Sequence, residues 1–258
     1  MNAVNFPRAP MSPSMSASDS SSTSGGFAGT VEPPLPKPPT PAWGPNDPLD
    51  DRHPALRPLL SSGYPAARVR AVLALYDEPH RHYHDRTHVR EMLDAAVRME
   101  QTLSPAQALA VIFHDAVYVP GAARGVNEAM SAQLLRVYGA GVPNETLELA
   151  YRVVIDTADH LARTEASRLV LDLDLMRLAV DEAEFERYSR QVFAEQRPLV
   201  MIADDDHAWA FFKRRRIAFF ERLLERPEIF CVPAFRLRFE EITRANLRRA
   251  IEAARYAV

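Results

Sequence analysis

Residues 83–88 read Tyr83-His84-Asp85-Arg86-Thr87-His88, and His114, 26 positions beyond His88, stands beside Asp115 in an otherwise apolar run. His84 and His88 are four residues apart and would share one face of a helix, while His114 and Asp115 offer a nitrogen and an oxygen donor side by side. A further pair of acids lies in Leu171-Asp172-Leu173-Asp174-Leu175. There the neighbours at helical spacing are apolar, and burying a carboxylate without a cation or several hydrogen-bond donors is costly. Two imidazoles and two carboxylates make a donor set that suits Mn, Fe, Co, Ni or Zn better than Mg, which prefers oxygen throughout. Taken singly, each residue has a plainer explanation: a hydrogen-bonded core histidine, a capping aspartate, an acid paired with arginine. Their joint order makes a divalent metal ion the first hypothesis. Cys231 is the single cysteine, which excludes both an intrachain disulfide and a thiolate cage.

The elements that must position these groups are helices. From about residue 50 onward apolar residues recur at helical spacing, as in Val89, Met92, Leu93, Ala96 and Met99, and strand-like alternation is nearly absent. The fold class is all-α, with helices expected at 66–77, 85–101, 105–117, 126–139, 144–159, 165–178, 181–197, 207–225 and 235–254. Ser104-Pro105 starts one of them with a cap and a first-turn proline, and Pro120-Gly121 and Gly139–Pro143 separate others. His88 and His114-Asp115 then fall on consecutive, antiparallel helices able to point donors into one cavity.

Residues 1–46, rich in serine and proline, read as a disordered arm, with Met11 and Met15 as alternative starts, and residues 47–258 as a single domain. The net charge of −3 gives no electrostatic case for a nucleic-acid partner. Lys213, Arg214, Arg215 and Arg216 form a local basic cluster that fits a solvated helix face or a phosphate-facing patch equally well. No apolar stretch approaches the roughly 18 residues that cross a bilayer, and the N-terminus lacks the apolar core of a secretory signal. A soluble, cytoplasmic protein is expected.

The ordered set Arg81-His82-Tyr83-His84-Asp85-Arg86-Thr87-His88, Phe113-His114-Asp115-Ala116-Val117-Tyr118, Asn127-Glu128-Ala129-Met130-Ser131, Thr157 with His160, Leu171–Leu175 and Arg244-Ala245-Asn246-Leu247 resembles the HD superfamily of metal-dependent phosphohydrolases. Within it, the chain is similar to a bacterial single-domain group. The resemblance covers about residue 50 to the C-terminus. It implies that His88, His114, Asp115 and Asp174 hold the metal, with Asp172 in reserve for the last. His84 matches the histidine of the Tyr-His-Asn motif of cyclic-nucleotide phosphodiesterases, which protonates the leaving oxygen, although Asp85 stands here in place of the asparagine. His160 lies where some relatives supply histidines to a second ion. With one such histidine here, one tightly held ion is expected, a second is optional, and His160 is left on the substrate side.

The chemistry so implied is hydrolysis of a phosphomonoester or phosphodiester, plausibly of a nucleotide, by a metal-activated water, with His84 as proton donor and Asp115 also orienting the water. Arg81 and Arg86 are candidates to hold phosphate oxygens, Arg81 ahead because it matches the family pattern. Asn127 and Glu128 open a helix, where they would ordinarily cap it. The resemblance places them behind the ligands, with Glu128 bonding a metal-held water or a ligand histidine. The alternatives are a metal-containing nucleotide-binding or sensory module with little or no turnover, and a helical scaffold whose histidines are packed in its core.

Overall fold

The computed structural model describes residues 49–256, so the expected disordered arm at 1–46 lies outside the described residues. Among these, ten α-helices and no strand occur: α1 (Arg57–Ser61), α2 (Ala66–Leu73), α3 (Arg86–Arg98), α4 (Pro105–Phe113), α5 (Val126–Tyr138), α6 (Asn144–Thr157), α7 (Glu165–Leu175), α8 (Glu182–Gln196), α9 (Asp205–Leu224) and α10 (Pro233–Arg255). Side-chain oxygens close several N-termini, as expected for residues that satisfy the unpaired amides of a first turn. Asp85 accepts from the His88 amide at the start of α3, Thr164 from Ser167 at α7, Asp181 from Glu184 at α8 and Asp204 from His207 at α9. Ser104 and Gln107 form a reciprocal capping box at α4, with Pro105 in the first turn.

Helix α4 is apolar on every side and runs through the centre. Ala106 and Ala108 to Phe113 are all buried, and α4 packs against α6, α7, α5, α1, α2 and α3. Each fully buried Leu, Ile or Phe there is worth about 1.5–3 kcal/mol over its exposed state. Helices α9 and α10 pair with each other, and α10 also packs on the 3₁₀ turn Met176–Ala179 that follows α7. Asn246 fastens that turn by donating to the carbonyls of Leu178 and Val180, both at 2.8 Å. Arg244 donates to the carbonyls of Leu224 and Arg226 and pairs with Glu240 at 2.7 Å. The Arg-Ala-Asn-Leu stretch therefore ties α10 to the ends of α7 and α9.

Two boundaries differ from expectation in ways that matter to the site. The helix expected at 105–117 stops at Phe113 with His114 as its C-cap, which turns Asp115 out of the helix. The helix expected from 85 begins at Arg86, with Asp85 in extended backbone as its cap, and His84 precedes that turn of chain. The supposition that His84 and His88 share a helix face is corrected accordingly: Asp85 takes extended backbone to cap α3, and the two rings stand perpendicular with centroids 6.4 Å apart.

Candidate metal centre

His88, from the first turn of α3, and His114 and Asp115, from the end of α4, each present one ligand atom, all within 4.8 Å of one another. Asp174, near the end of α7, joins them: its Oδ1 is 3.0 Å from His88 Nε2 and 4.0 Å from His114 Nε2. The His88 and His114 ring centroids are 5.1 Å apart. His114 Nδ1 donates to the Val111 carbonyl at 2.8 Å, which fixes the ring orientation and turns Nε2 toward the carboxylates. That Nε2 is buried and makes no hydrogen bond, although Asp115 Oδ2 lies 3.0 Å away. An orphaned buried imidazole nitrogen beside two carboxylates is what a cation would satisfy, and the mixed N/O donor set fits a borderline divalent ion.

The electrostatics point the same way. Burial alone would lower the His114 imidazole, but the adjacent Asp115 carboxylate outweighs it and raises the group to about 9. Burial would raise Asp174, yet its bonds to His160 and His88 hold it well below the usual carboxylate range. His88 is lowered by burial and by the charge of Arg177. Protons thus serve as the counter-charge of the acids, and a bound cation would displace them.

His160 reaches Asp174 from the other side, its Nε2 3.1 Å from Oδ2. It sits just beyond α6 in the left-handed region, with φ 53°, a conformation that costs a non-glycine residue about 1 kcal/mol or more. The loop is held there by Arg226, which donates to the carbonyls of His160 (2.5 Å) and Asp159 (2.7 Å).

His84 is positioned by Glu195 of α8. Glu195 is 2% exposed; its Oε1 accepts from the amides of His82, Tyr83 and His84 at 2.9, 2.7 and 2.9 Å. Its Oε2 lies 2.7 Å from His84 Nδ1 and accepts from the Tyr118 hydroxyl at 2.9 Å. An ionised carboxylate only accepts, so His84 carries a proton on Nδ1 and keeps Nε2 for the cavity that its ring lines. The Tyr118 ring stacks on the imidazole at 4.3 Å. Burial would raise Glu195, but the His84 bond brings it down to about 2. Burial would likewise lower His84, yet the charge of Asp115 and the bond to Glu195 raise it.

Other groups singled out in the sequence are placed differently. The Arg81 guanidinium is buried and spent: it donates to the carbonyls of His84, Asp115 and Ala116 at 3.1, 2.7 and 3.1 Å and pairs with Glu78 at 2.8 Å. Its stacking against the rings of Tyr76 and Tyr118 completes a clip joining segment 81–84 to the end of α4. Arg86 bonds the Leu49 and Leu73 carbonyls and Asp77. Neither arginine lines the cavity, so their assignment as phosphate holders is corrected to structural ties. Asp172 accepts from the amides of Cys231 (2.8 Å) and Val232 (2.6 Å), which binds α7 to the start of α10; burial pushes it up to about 6. Asn127 exchanges hydrogen bonds with the Val119 backbone at 3.0 and 3.3 Å, and Ser131 does so with Val117 at the same distances. Both staple the loop after α4. Glu128 lines the cavity, half-buried, and its burial raises its carboxyl.

The cavity measures about 910 Å³ and contains His84, His114, Asp115, Glu128, His160 and Asp174 in its walls. Of the basic cluster, Arg215 and Arg216 also face it. Sequence reasoning did not find Glu195; the trace it leaves is an acid at the next step of the apolar stripe Phe185, Tyr188, Val192. Tyr118 stood in the matched stretch without a role; its ring stacks on His84 and its hydroxyl bonds Glu195. Comparison of the chain with protein-family models, with curated proteins and with solved structures gives no match.

Proposed function

We propose that this chain is a metal-dependent phosphohydrolase of the HD type, with His88, His114, Asp115 and Asp174 as metal ligands and His84 as proton donor. The observation that carries the reading is the convergence of an orphaned buried His114 Nε2, His88 and two carboxylates within one cavity, beside an independently oriented histidine. A packed core histidine would be satisfied by its neighbours, and His114 Nε2 is not. A divalent ion held there would polarise a phosphoryl oxygen and acidify water.

The chain's own residues supply the rest. Asp115, Asp174 and Glu128 concentrate negative charge at one end of the cavity, where a cation and a water to be deprotonated are both favoured. As the water oxygen bonds to phosphorus and the ester P–O bond breaks, the departing alkoxide takes a proton from His84 Nε2. Glu195 holds the resulting imidazole in orientation through Nδ1–H and favours its reprotonation, a division of labour familiar from carboxylate–histidine pairs.

The test is elemental analysis of the purified protein, native and with His114→Ala or Asp115→Ala, followed by hydrolysis of an aryl phosphate and an aryl phosphodiester with added Mn. Near-stoichiometric metal in the native protein, lost with turnover in both variants, is the expected result. Native protein without metal, and without activity after reconstitution, would overturn the reading. His84→Ala should abolish most turnover and keep the metal; loss of both together would make His84 a ligand.

A further inference from the structure

The cavity has a second cationic element that the hydrolytic reading does not use. Arg216, on α9, has its guanidinium carbon 4.7 Å from the Phe220 ring centroid and 5.7 Å from that of Phe212. Its Nη1 donates to Ser189 Oγ at 3.0 Å. Among the described residues no carboxylate lies within ion-pairing distance of it; Glu186 and Tyr83 act on it only at longer range. The other enclosed arginines differ. Arg81 has Glu78 and three carbonyls, and Arg177 has Glu91 at 2.7 Å and the Tyr83 carbonyl at 2.8 Å. The Arg216 side chain is half-buried, and burial pushes the group down to about 10. Arg216 stands on the wall shared by this cavity and an adjoining one lined by Ser189, Trp209 and Phe220, and a planar fork with spare N–H donors there is an anion receptor.

The remainder of that cavity is poor in hydrogen-bonding capacity. Its outer wall consists of the segments 119–122 and 199–202 with Phe211 and Phe219. Val119, Leu199, Met201 and Phe211 are 56%, 51%, 97% and 36% exposed, an apolar rim at the mouth of a charged site. The polar side chains beyond the histidine and carboxylate end are largely engaged already. Asn127 is bound to Val119, Thr157 donates to the Val154 carbonyl at 2.7 Å, and Gln196 donates to the Tyr118 hydroxyl at 3.4 Å. Arg215, exposed at the mouth, and the Gln196 carbonyl keep hydrogen-bonding capacity, but apolar surface dominates the outer wall.

Building on the hydrolase reading, we propose that the substrates are phosphate esters of apolar alcohols, with Arg216 holding phosphate oxygens and the Val119, Leu199, Met201 and Phe211 wall covering the organic group. The chemistry is aryl or alkyl phosphate, with a nucleotide as the competing outcome of the test.

The experiment uses the full chain loaded with Mn and measures binding by calorimetry, so that it does not depend on turnover. The probes are inorganic phosphate, phenylphosphonate, and butyl-, hexyl- and octylphosphonate. Phenylphosphonate should bind at least tenfold tighter than phosphate, and affinity should rise about threefold to fourfold for each methylene that reaches the wall. Arg216→Met should weaken phosphate and the phosphonates alike, tenfold or more, with metal content unchanged, and Arg216→Lys should restore part of the loss. Met201→Asn and Leu199→Asn, at exposed positions, should weaken octylphosphonate and leave phosphate within about twofold. Phosphonates binding no tighter than phosphate, or adenosine monophosphate binding tighter than octylphosphonate, would overturn the proposal. So would full affinity in metal-replete Arg216→Met or in both rim variants. Failure of the hydrolase reading is seen separately, as native protein that neither holds metal nor turns over.

Discussion

Replacing Glu195 by Gln isolates the interaction that orients His84. The glutamine carbonyl can still accept from the amides of residues 82–84, but an amide NH₂ faces His84 Nδ1–H where a carboxylate oxygen stood at 2.7 Å. The fall of Glu195 from 4.5 to about 2, at about 1.4 kcal/mol for each tenfold in proton affinity, corresponds to about 3 kcal/mol of native-state stabilisation. For a domain of this size that is a melting temperature lower by about 6–12 °C. The pH dependence follows from the signs. Glu195 is depressed in the folded state, so its contribution is complete above about pH 4.5 and vanishes as pH falls through about 2. His84 is raised, so its share is complete below its ordinary value of 6.5 and is lost as pH rises through the folded value. Urea titrations of the native protein and Glu195→Gln should therefore differ most between about pH 4.5 and 6.5 and converge toward pH 2. On the proposed hydrolase reading, turnover should fall by about 100-fold, mainly in kcat, because His84 is misoriented while His88, His114, Asp115 and Asp174 stay. A stability gap under about 1 kcal/mol, or one that is constant from pH 6 to pH 3, would refute the assignment of Glu195 as the charged partner of His84.

Asp174→Asn should abolish most metal binding, whereas Asp172→Asn should leave metal content intact and loosen the contact with Cys231 and Val232; elemental analysis of both decides which acid is the ligand. Arg81→Met strips three carbonyls of a buried donor and should cost about 3–5 kcal/mol in urea denaturation. At His160, with φ 53°, Gly should be more stable than Ala by about 1 kcal/mol, though both lose the contact to Asp174; equal stability would contradict the left-handed backbone.

The all-α class and most helix positions were legible because caps, prolines and apolar periodicity are local signals. Ser104-Pro105 marked α4 and Gly139–Pro143 the gap before α6. The short α1, carrying Pro58 in its first turn, had too little periodicity to be seen, and the overrun past Phe113 arose because Ala116 and Val117 continue an apolar pattern after the helix has stopped. At the site, neighbouring donors such as His114 and Asp115 were visible as a pair. What could not be read were partners distant in sequence. Glu195 lies 111 residues from His84, and an arginine's partners, carbonyls for Arg81 and aromatic rings for Arg216, leave no mark in residue type. Arg81 and Arg86 were taken for anion holders on guanidinium geometry and, for Arg81, the family pattern; their carbonyl and carboxylate partners decided otherwise.

The convergence of three consecutive amides on one oxygen of Glu195 also bears on the order in which the molecule assembles. Segment 82–84 has no helix of its own to supply acceptors, so its ordering waits for α8, over a hundred residues later in synthesis. The loop closure involved is long, and contacts of that kind form late. His88, His114 and Asp115, the group of α3 and α4 that could hold an ion, need no such wait. A maturing chain should accordingly acquire metal affinity before it acquires an oriented His84. Pulse-labelled hydrogen exchange during refolding should find the amides of His82, Tyr83 and His84 protected after those of α4; simultaneous protection would show that α8 docks as early as the core.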